Sequence, residues 1–260
     1  SVAVDSILIQ PGQEFFIAVM QNDAYAVSYD RVTTAAERSY FSGDGTSYSD
    51  MSGTSSAPRN INIRAKISNG TTTTENLTYV PDDNFEQALI DLGYDDVLDD
   101  SVNTANISGV TSLDVNNKEI SDLTGIENFT ALTDLKCNGN QLTSLDLSTN
   151  TALTGLRCKG NQLTALDLST NTALTNLWCQ TNQLTALDLS NNTVLDEVHC
   201  GNNQFSSLDL SSNTVLNNLY CSDSDSLTSL NLSNNAALTL LWCYNNSLTS
   251  LDVSANTALT

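Results

Sequence analysis

Positive charge is scarce in this chain. Against 30 Asp and Glu stand 9 Lys and Arg and a single His, for a formal charge of −21 over 260 residues. Such a chain is repelled by nucleic-acid backbones, and anionic membrane surfaces are disfavoured for the same reason. No Lys or Arg follows Lys159. Long apolar runs are missing too: no stretch of about 18 such residues exists, so nothing reads as a helix that spans a bilayer. With His199 as the one histidine, His-based zinc sites and Ser-His-Asp triads lack material. Neither a phosphate loop nor a nucleotide fingerprint is present. Pairs of carboxylates can run glycoside hydrolysis, but in so acidic a chain they occur everywhere and carry no information. These absences argue against an enzyme.

What is abundant is Leu, Asn, Thr and Ser, in a repeating order. The stretch LTDLKCNGNQLTSLDLSTNTALTGLRCKGNQLTALDLSTNTAL, from Leu132 to Leu174, contains one unit twice with few changes, and the unit continues to the end. The six cysteines, Cys137, Cys158, Cys179, Cys200, Cys221 and Cys243, are spaced by 21 residues, with a last interval of 22. Equal spacing places them at one position of successive repeats, as a column of small buried free thiols rather than a disulfide framework.

The unit reads Leu132-x-x-Leu135-x-Cys137-x-x-Asn140-x-Leu142, then Leu142-x-x-Leu145-Asp146-Leu147-x-x-Asn150. The first half is the leucine-rich pattern with Cys for its third apolar residue, and the second half repeats that grammar. This resembles the bacterial class of leucine-rich repeat proteins with nested half-repeats. Both L-x-C and L-D-L alternate with period two, and neither half has room for a helix. Two short parallel strands per coil, on opposite sides of a flattened solenoid, are therefore expected. Asn140, Asn161, Asn182, Asn203 and Asn246 mark one turn. Asn150, Asn171, Asn192, Asn213, Asn235 and Asn256 mark the other. Buried and stacked, such amides bond backbone groups that turns leave unpaired. Seven coils fit residues 110–258, about 34 Å of array at the strand spacing. The sixth carries one extra residue near Ser224, which predicts a local bulge and a break in the first Asn column. The chain closes on Leu259-Thr260 without a visible cap, so truncation or a stacked partner is expected, including self-association through the open coil.

In front of the array, Pro81-Asp82-Asp83-Asn84 reads as a helix start, with Asp83 or Asp82 as cap. Phe85, Ala88, Leu89 and Leu92 share a face, and Gly93 suits the C′ position. VPDDNFEQALIDLG, followed by VTSLDV and ISDLTGIENFTAL, resembles the N-terminal cap of secreted bacterial leucine-rich repeat proteins. Residues 76–109 are expected to form a linker and cap, 110–260 the solenoid, and 68–80 a polar connection. Residues 1–75 read as β, with VAVDSILI, EFFIAVM, AYAVSY and INIRAKI as runs punctuated by Gly and Pro. Here PGQEFFIAV, SYFSGDGTSYSDM and NINIRAKI resemble the lectin-like β-sandwich found beside papain-type peptidase domains in large secreted bacterial proteins. The resemblance implies a partial, jelly-roll-like antiparallel sandwich, and without Cys or His in 1–75 it imports no peptidase chemistry. The opening SVAVDSILIQ reads as the inside of a strand rather than a leader, so residue 1 is not expected to be a biological start.

Function is expected on the outward positions, since inward ones keep the fold. Between the strand Leu and Cys lie Lys136, Arg157, Trp178, His199, Tyr220 and Trp242. After Cys lie Asn138, Lys159, Gln180, Gly201, Ser222 and Tyr244. This face is basic at one end and aromatic at the other. Rows of Trp and Tyr are the usual material of binding hot spots, although aromatics also simply stabilise sheet surfaces. The candidate ligand-binding residues are Lys136, Arg157, Trp178, His199, Tyr220, Trp242 and Tyr244. The other side repeats Asp146, Asp167, Asp188, Asp209, Asn231 and Asp252, either a solvated template or a Ca²⁺ ladder. Asp95, Asp96, Asp99 and Asp100 could also attract Ca²⁺, but lack the spacing of an EF-hand. Otherwise no cofactor is expected. Asp5-Ser6-Ile7, Asp100-Ser101-Val102 and Asp225-Ser226-Leu227 resemble the D-S/T-aliphatic O-glycosylation motif of some bacteria. The expected function is a non-catalytic module for adhesion or protein recognition, secreted or at a cell surface. The alternatives are a carbohydrate-binding appendage of a secreted hydrolase and a structural stalk or filament subunit.

Overall fold

The computed structural model describes residues 76–260 and, within the first 75, the backbone of four strands. Those strands are β1 (Phe15–Gln21), β2 (Ala24–Asp30), β3 (Ser39–Ser42) and β4 (Ser49–Asp50). They pair antiparallel in chain order, Phe15 opposite Asp30 and Val27 opposite Ser42. The expected sheet runs EFFIAVM and AYAVSY are thus β1 and β2. The runs VAVDSILI and INIRAKI, and Ser6, lie outside the described residues. The chain divides into two units, Ser1–Thr73 and Thr74–Thr260.

The second unit opens on β5 (Leu77–Tyr79), inside what reads by sequence as a polar connection. Helix α1 (Asp83–Asp91) follows, then β6 (Ser101–Asn103), which pairs antiparallel with β5, and the single turn α2 (Thr104–Ile107). Asp82 is the cap of α1. Its Oδ1 accepts from the N–H groups of Asn84 and Phe85, which the helix start would otherwise leave bare. Its Oδ2 accepts from Ser121 N–H, Ser121 Oγ and Asp122 N–H. One carboxylate therefore fastens the helix to the first coil. Burial raises its pKa, but the Ser121 hydroxyl and the backbone N–H groups of Ser121, Phe85 and Asp122 outweigh that and hold it below the usual value.

Phe85, Ala88 and Leu89 are buried as the helical spacing predicts, but Leu92 is 44% exposed. The helix ends at Asp91, Leu92 is its C-cap, and Gly93 at φ +79 turns the chain so that Tyr94 packs on the core instead. Glu86 is buried, which a carboxylate seldom is. Its oxygens accept from Asp99, Asp100 and Ser101 N–H, so it ties the acidic 95–101 loop to the helix.

The array proper has β7 (Ser112–Asp114), β8 (Asp134–Lys136), β9 (Gly155–Arg157), β10 (Asn176–Trp178), β11 (Glu197–His199), β12 (Ser207–Asp209), β13 (Asn218–Tyr220), β14 (Ser229–Asn231) and β15 (Leu240–Trp242). Seven of these form one parallel sheet, ordered β15-β13-β11-β10-β9-β8-β7. The register is in step: Leu135 faces Leu156, Leu177 faces Val198 and Leu219 faces Leu241. Behind the sheet, the Leu and Cys columns stack into one core. The fold is mainly β, a parallel-strand leucine-rich repeat solenoid.

Two strands per coil are found in only part of the array. On the side opposite the seven-stranded sheet, β12 and β14 pair with each other, and the remaining L-D-L segments form no ladder. The difference lies in the Asp column. Where a pair exists, Asn231 Nδ2 donates to Asp209 Oδ1 at 2.9 Å. From Asp146 to Asp209 carboxylate follows carboxylate, and repulsion between stacked anions opposes close pairing; the last segment, with Asp252 beside Asn231, forms no ladder either. Paired or not, each Asp also bonds its own turn: Asp146, Asp167, Asp188 and Asp209 accept from Ser148, Ser169, Ser190 and Ser211 N–H at 2.9 Å.

The Asn columns hold as expected. Asn182 Nδ2 donates to the carbonyls of Cys158 and Cys179, and its Oδ1 accepts from Leu163 N–H. Asn161 and Asn203 repeat this one coil away on either side. In the sixth coil Ser224 takes the Asn place, fully buried, and its N–H donates to Asn246 Oδ1. The extra residue is accommodated in the turn just after it.

Candidate functional site

Each strand of the large sheet is three residues long. The central Leu or Val points into the core and its two neighbours point out. Register then stacks like positions from successive coils at about 4.8 Å. The outward column from Lys136 to Trp242 becomes one continuous row. The Arg157 guanidinium lies 5.2 Å from the Trp178 ring centroid. Trp178 and His199 are 4.7 Å apart, and His199 and Tyr220 are stacked at 4.0 Å with planes 16° apart. Tyr220 meets Trp242 edge-on at 5.2 Å, and Trp242 meets Tyr244 at 6.2 Å. All seven candidate residues are therefore brought together.

The two ends of the row differ. In the middle, His199 and Tyr220 cover one face of each other, and Trp178 packs tilted by 40° against His199. At the end, Trp242 and Tyr244 are 51% and 55% exposed, with Leu241 and Cys243 beside them. The basic end is less basic than the sequence implies, because neighbouring positions bring carboxylates to it. Lys136 Nζ lies 3.6 Å from Asp134 and 3.9 Å from Asp114, and Arg157 Nη1 lies 3.3 Å from Asp134. His199 Nε2 lies 2.7 Å from Glu197 Oε1, and Glu197 Oε2 accepts from Asn176 Nδ2. Asp134 and Glu197 lie one residue before the central Leu or Val of their strands, and Asp114 precedes Lys136 in its own column.

A further feature runs along the rim, two residues after each Cys. Gly139, Gly160, Thr181, Asn202, Asp223 and Asn245 all have positive φ, between 53 and 67°. The strand ends there in a tight left-handed turn, which Gly, Asn and Asp tolerate and which strains the β-branched Thr181. The recurrence of Gly, Asn and Asp at one offset from Cys was the available signal. In the coils of Lys136 and Arg157 this rim position is Gly139 and Gly160 and has no side chain. Beside the aromatic end it is polar, with Asn245 Nδ2 donating to Asp223 Oδ1 at 2.8 Å.

Other candidates separate. Among the described residues no three of His, Cys, Asp and Glu come together as a metal ion requires. In the 95–100 loop, Asp99 and Asp100 give their N–H groups to Glu86, and Ser101 Oγ donates to Asp99 Oδ1. Ser226 lies in the turn that holds the extra residue, its hydroxyl 3.3 Å from the Phe205 carbonyl. The six thiols are free, and burial pushes Cys158 and Cys221 up to about 12, so they are packing groups and not nucleophiles. No described helix is long and apolar enough to cross a membrane.

No family model matches the chain. A segment of 72 residues, 28% of the chain, is 40% identical to internalin J of Listeria monocytogenes and corresponds to 8% of that protein's length. The solved functional domain of InlJ from Listeria monocytogenes, described as including a cysteine ladder, is 34% identical. That match covers 73% of this chain and 52% of that one, with a TM-score of 0.47. Internalin C2 of the same species is 22% identical over 70% of this chain and 92% of its own, with a TM-score of 0.52, a likeness of fold. The second unit is thus a leucine-rich repeat β-solenoid, similar to those of bacterial internalins.

Proposed function

We propose that the chain is a non-catalytic binding module that recognises a protein, in adhesion or a related contact, through the face from Lys136 to Tyr244. We place it outside the cell, secreted or at a surface. The observation that carries this reading is the contrast between columns. Leu, Cys and Asn recur inside the coil, whereas the outward residue changes from Lys136 through Arg157, Trp178, His199 and Tyr220 to Trp242. A template copied only for stability has no need of five kinds of side chain at six positions there. The likeness to internalin J supports the same class of function.

Protein is favoured over glycan by the geometry of the rings. A sugar stacks on an open aromatic face, and the faces of His199 and Tyr220 are spent on each other. A row of rings packed on one another and bordered by polar residues resembles a protein hot spot. The test is a binding screen against extracellular matrix proteins and mucin, run beside a glycan array, with the wild type and the Trp178→Ala/Tyr220→Ala/Trp242→Ala variant. A protein ligand lost in the variant is expected. Unchanged binding by the variant, or binding to free glycans alone, would overturn the assignment.

A further inference from the structure

We infer that the ligand's contact extends from the sheet face onto the rim just before β11 and β13, where Val194, Val215 and Asp196 receive an aliphatic side chain flanked by Lys or Arg on a partner polypeptide. The inference rests on the binding reading above and names the segment that fits. In the repeat template, the residue ahead of the first Leu of a coil is Ala, as at Ala131, Ala152, Ala173, Ala237 and Ala258. In two adjacent coils it is Val194 and Val215, which are 45% and 49% exposed. Methyl groups left in water add nothing to the core. Both residues lie inside the array, with strands of the large sheet on either side of theirs. The backbone is in step around them: Asn213 Nδ2 donates to the Asn192 carbonyl, and Asn217 N–H to the Asp196 carbonyl. The two valines are therefore neighbours at about 4.8 Å, one coil apart.

The same two coils depart from the template at a second position. One residue after that Leu the template has Thr, whose hydroxyl donates to a carbonyl one coil back: Thr133 to Thr111, Thr154 to Thr133 and Thr175 to Thr154. Here the residues are Asp196 and Asn217. A carboxylate cannot donate, so the hydroxyl bond to the Thr175 carbonyl is given up. Among the described residues none gives the Asp196 carboxylate a hydrogen bond or an ion pair. Leu195 is fully buried, so Val194 and Asp196 on either side of it both face out. Glu197, the next residue, is already matched by His199. The rim thus joins an apolar pair and one unmatched carboxylate to the strands that carry His199 and Tyr220. Residues 174–237 contain no Lys or Arg, so a cationic group meets no like charge there. In the free chain both departures are unfavourable, one as exposed apolar surface and one as a forgone bond. An aliphatic side chain beside a cation makes use of both.

The test restores the template with Val194→Ala/Val215→Ala/Asp196→Thr/Asn217→Thr. This variant should keep or raise Tm, since it returns hydroxyl donors and removes exposed methyls. Phage-displayed random peptides are selected on the wild-type chain, with and without counter-selection on the restored variant. The counter-selected peptides are expected to share Leu, Ile or Val next to Lys or Arg, and to bind the restored variant about ten-fold more weakly than the wild type. Asp196→Asn alone should weaken them about three-fold and remove the preference for Lys or Arg over Gln. All selected peptides are also measured on Trp178→Ala/Tyr220→Ala/Trp242→Ala. Peptides that need the aromatic row but bind the restored variant at full strength would overturn the inference and leave the binding face standing. Peptides indifferent to both variants would overturn both readings. No counter-selected peptides, or a set without the aliphatic and basic pair, would overturn the inference. So would a fall in Tm on restoration, which would make these side chains structural.

Discussion

The two sides of each coil are built from the same Leu-x-x-Leu-x-apolar grammar and behave differently. On one side seven strands pair without interruption, and the Asn column is bonded through both its nitrogen and its oxygen. On the other, only β12 and β14 pair, and the Asn column donates but does not accept. The Oδ1 atoms of Asn150, Asn171, Asn192, Asn213, Asn235 and Asn256 have no partner. The sheet side is closed by its backbone and free to vary its outward residues. The other side spends its outward position on an Asp that serves its own turn. Variation therefore accumulates where the backbone already does the holding.

This comparison is broken most severely at the Asn columns. Asn182→Ala leaves Leu163 N–H unpaired in the interior, takes one of two donors from each of the Cys158 and Cys179 carbonyls, and should cost about 3 kcal/mol in denaturant unfolding. Asn192→Ala takes one of two donors from each of the Leu168 and Asn171 carbonyls, leaves no group unpaired, and should cost about 2 kcal/mol. Equal losses would erase the distinction between the sides. Next comes Asp82→Ala, which unties α1 from Ser121 and Asp122 and should cost about 2 kcal/mol at neutral pH. The folded pKa of Asp82 is lowered, so its contribution is present above the usual carboxylate value of 3.8 and is lost as pH falls through the folded value. Wild type and variant stability should converge in acid, and a constant gap would contradict the carboxylate's role.

Smaller effects run in the stabilising direction. Thr181 is a β-branched residue at φ +60 on the sheet-side rim. Thr181→Gly should raise stability by about 1 kcal/mol, whereas a loss would mean that the Thr side chain matters more than its strain. Asp188→Asn keeps the bond to Ser190 N–H and removes one stacked charge, as Asn231 does naturally. A small rise in Tm that fades at high salt is expected, and an unchanged Tm at low salt would remove repulsion as the reason the ladder is missing.

Much of the array was legible because its signals are repeated. Leu, Cys and Asn at fixed offsets define the interior, and alternation around Leu135-x-Cys137 gives the strand and its outward column. The second strand was legible only as a capacity. L-D-L alternates correctly, but whether neighbouring carboxylates let the coils pair depends on charge between coils, which no single repeat displays. The cap helix was readable from Asp82 and its apolar face. The burial of Glu86 was not, because it depends on three N–H groups in a loop 13 to 15 residues away. At the site, the row of rings followed from the 21-residue period. Its neutralised basic end did not, since Asp134 serves both its own strand's Lys136 and the next coil's Arg157.

The central claim is that the variable sheet face binds and the Asp-bearing side does not. The direct test is one affinity measurement on the strongest protein ligand of the screen, at physiological salt, with two variants. These are Trp178→Ala/Tyr220→Ala/Trp242→Ala on the sheet face and Asp146→Asn/Asp167→Asn/Asp188→Asn opposite. The account predicts a loss of about 100-fold for the first and less than about three-fold for the second. Comparable losses from both, or a larger loss from the Asp variant, would contradict it.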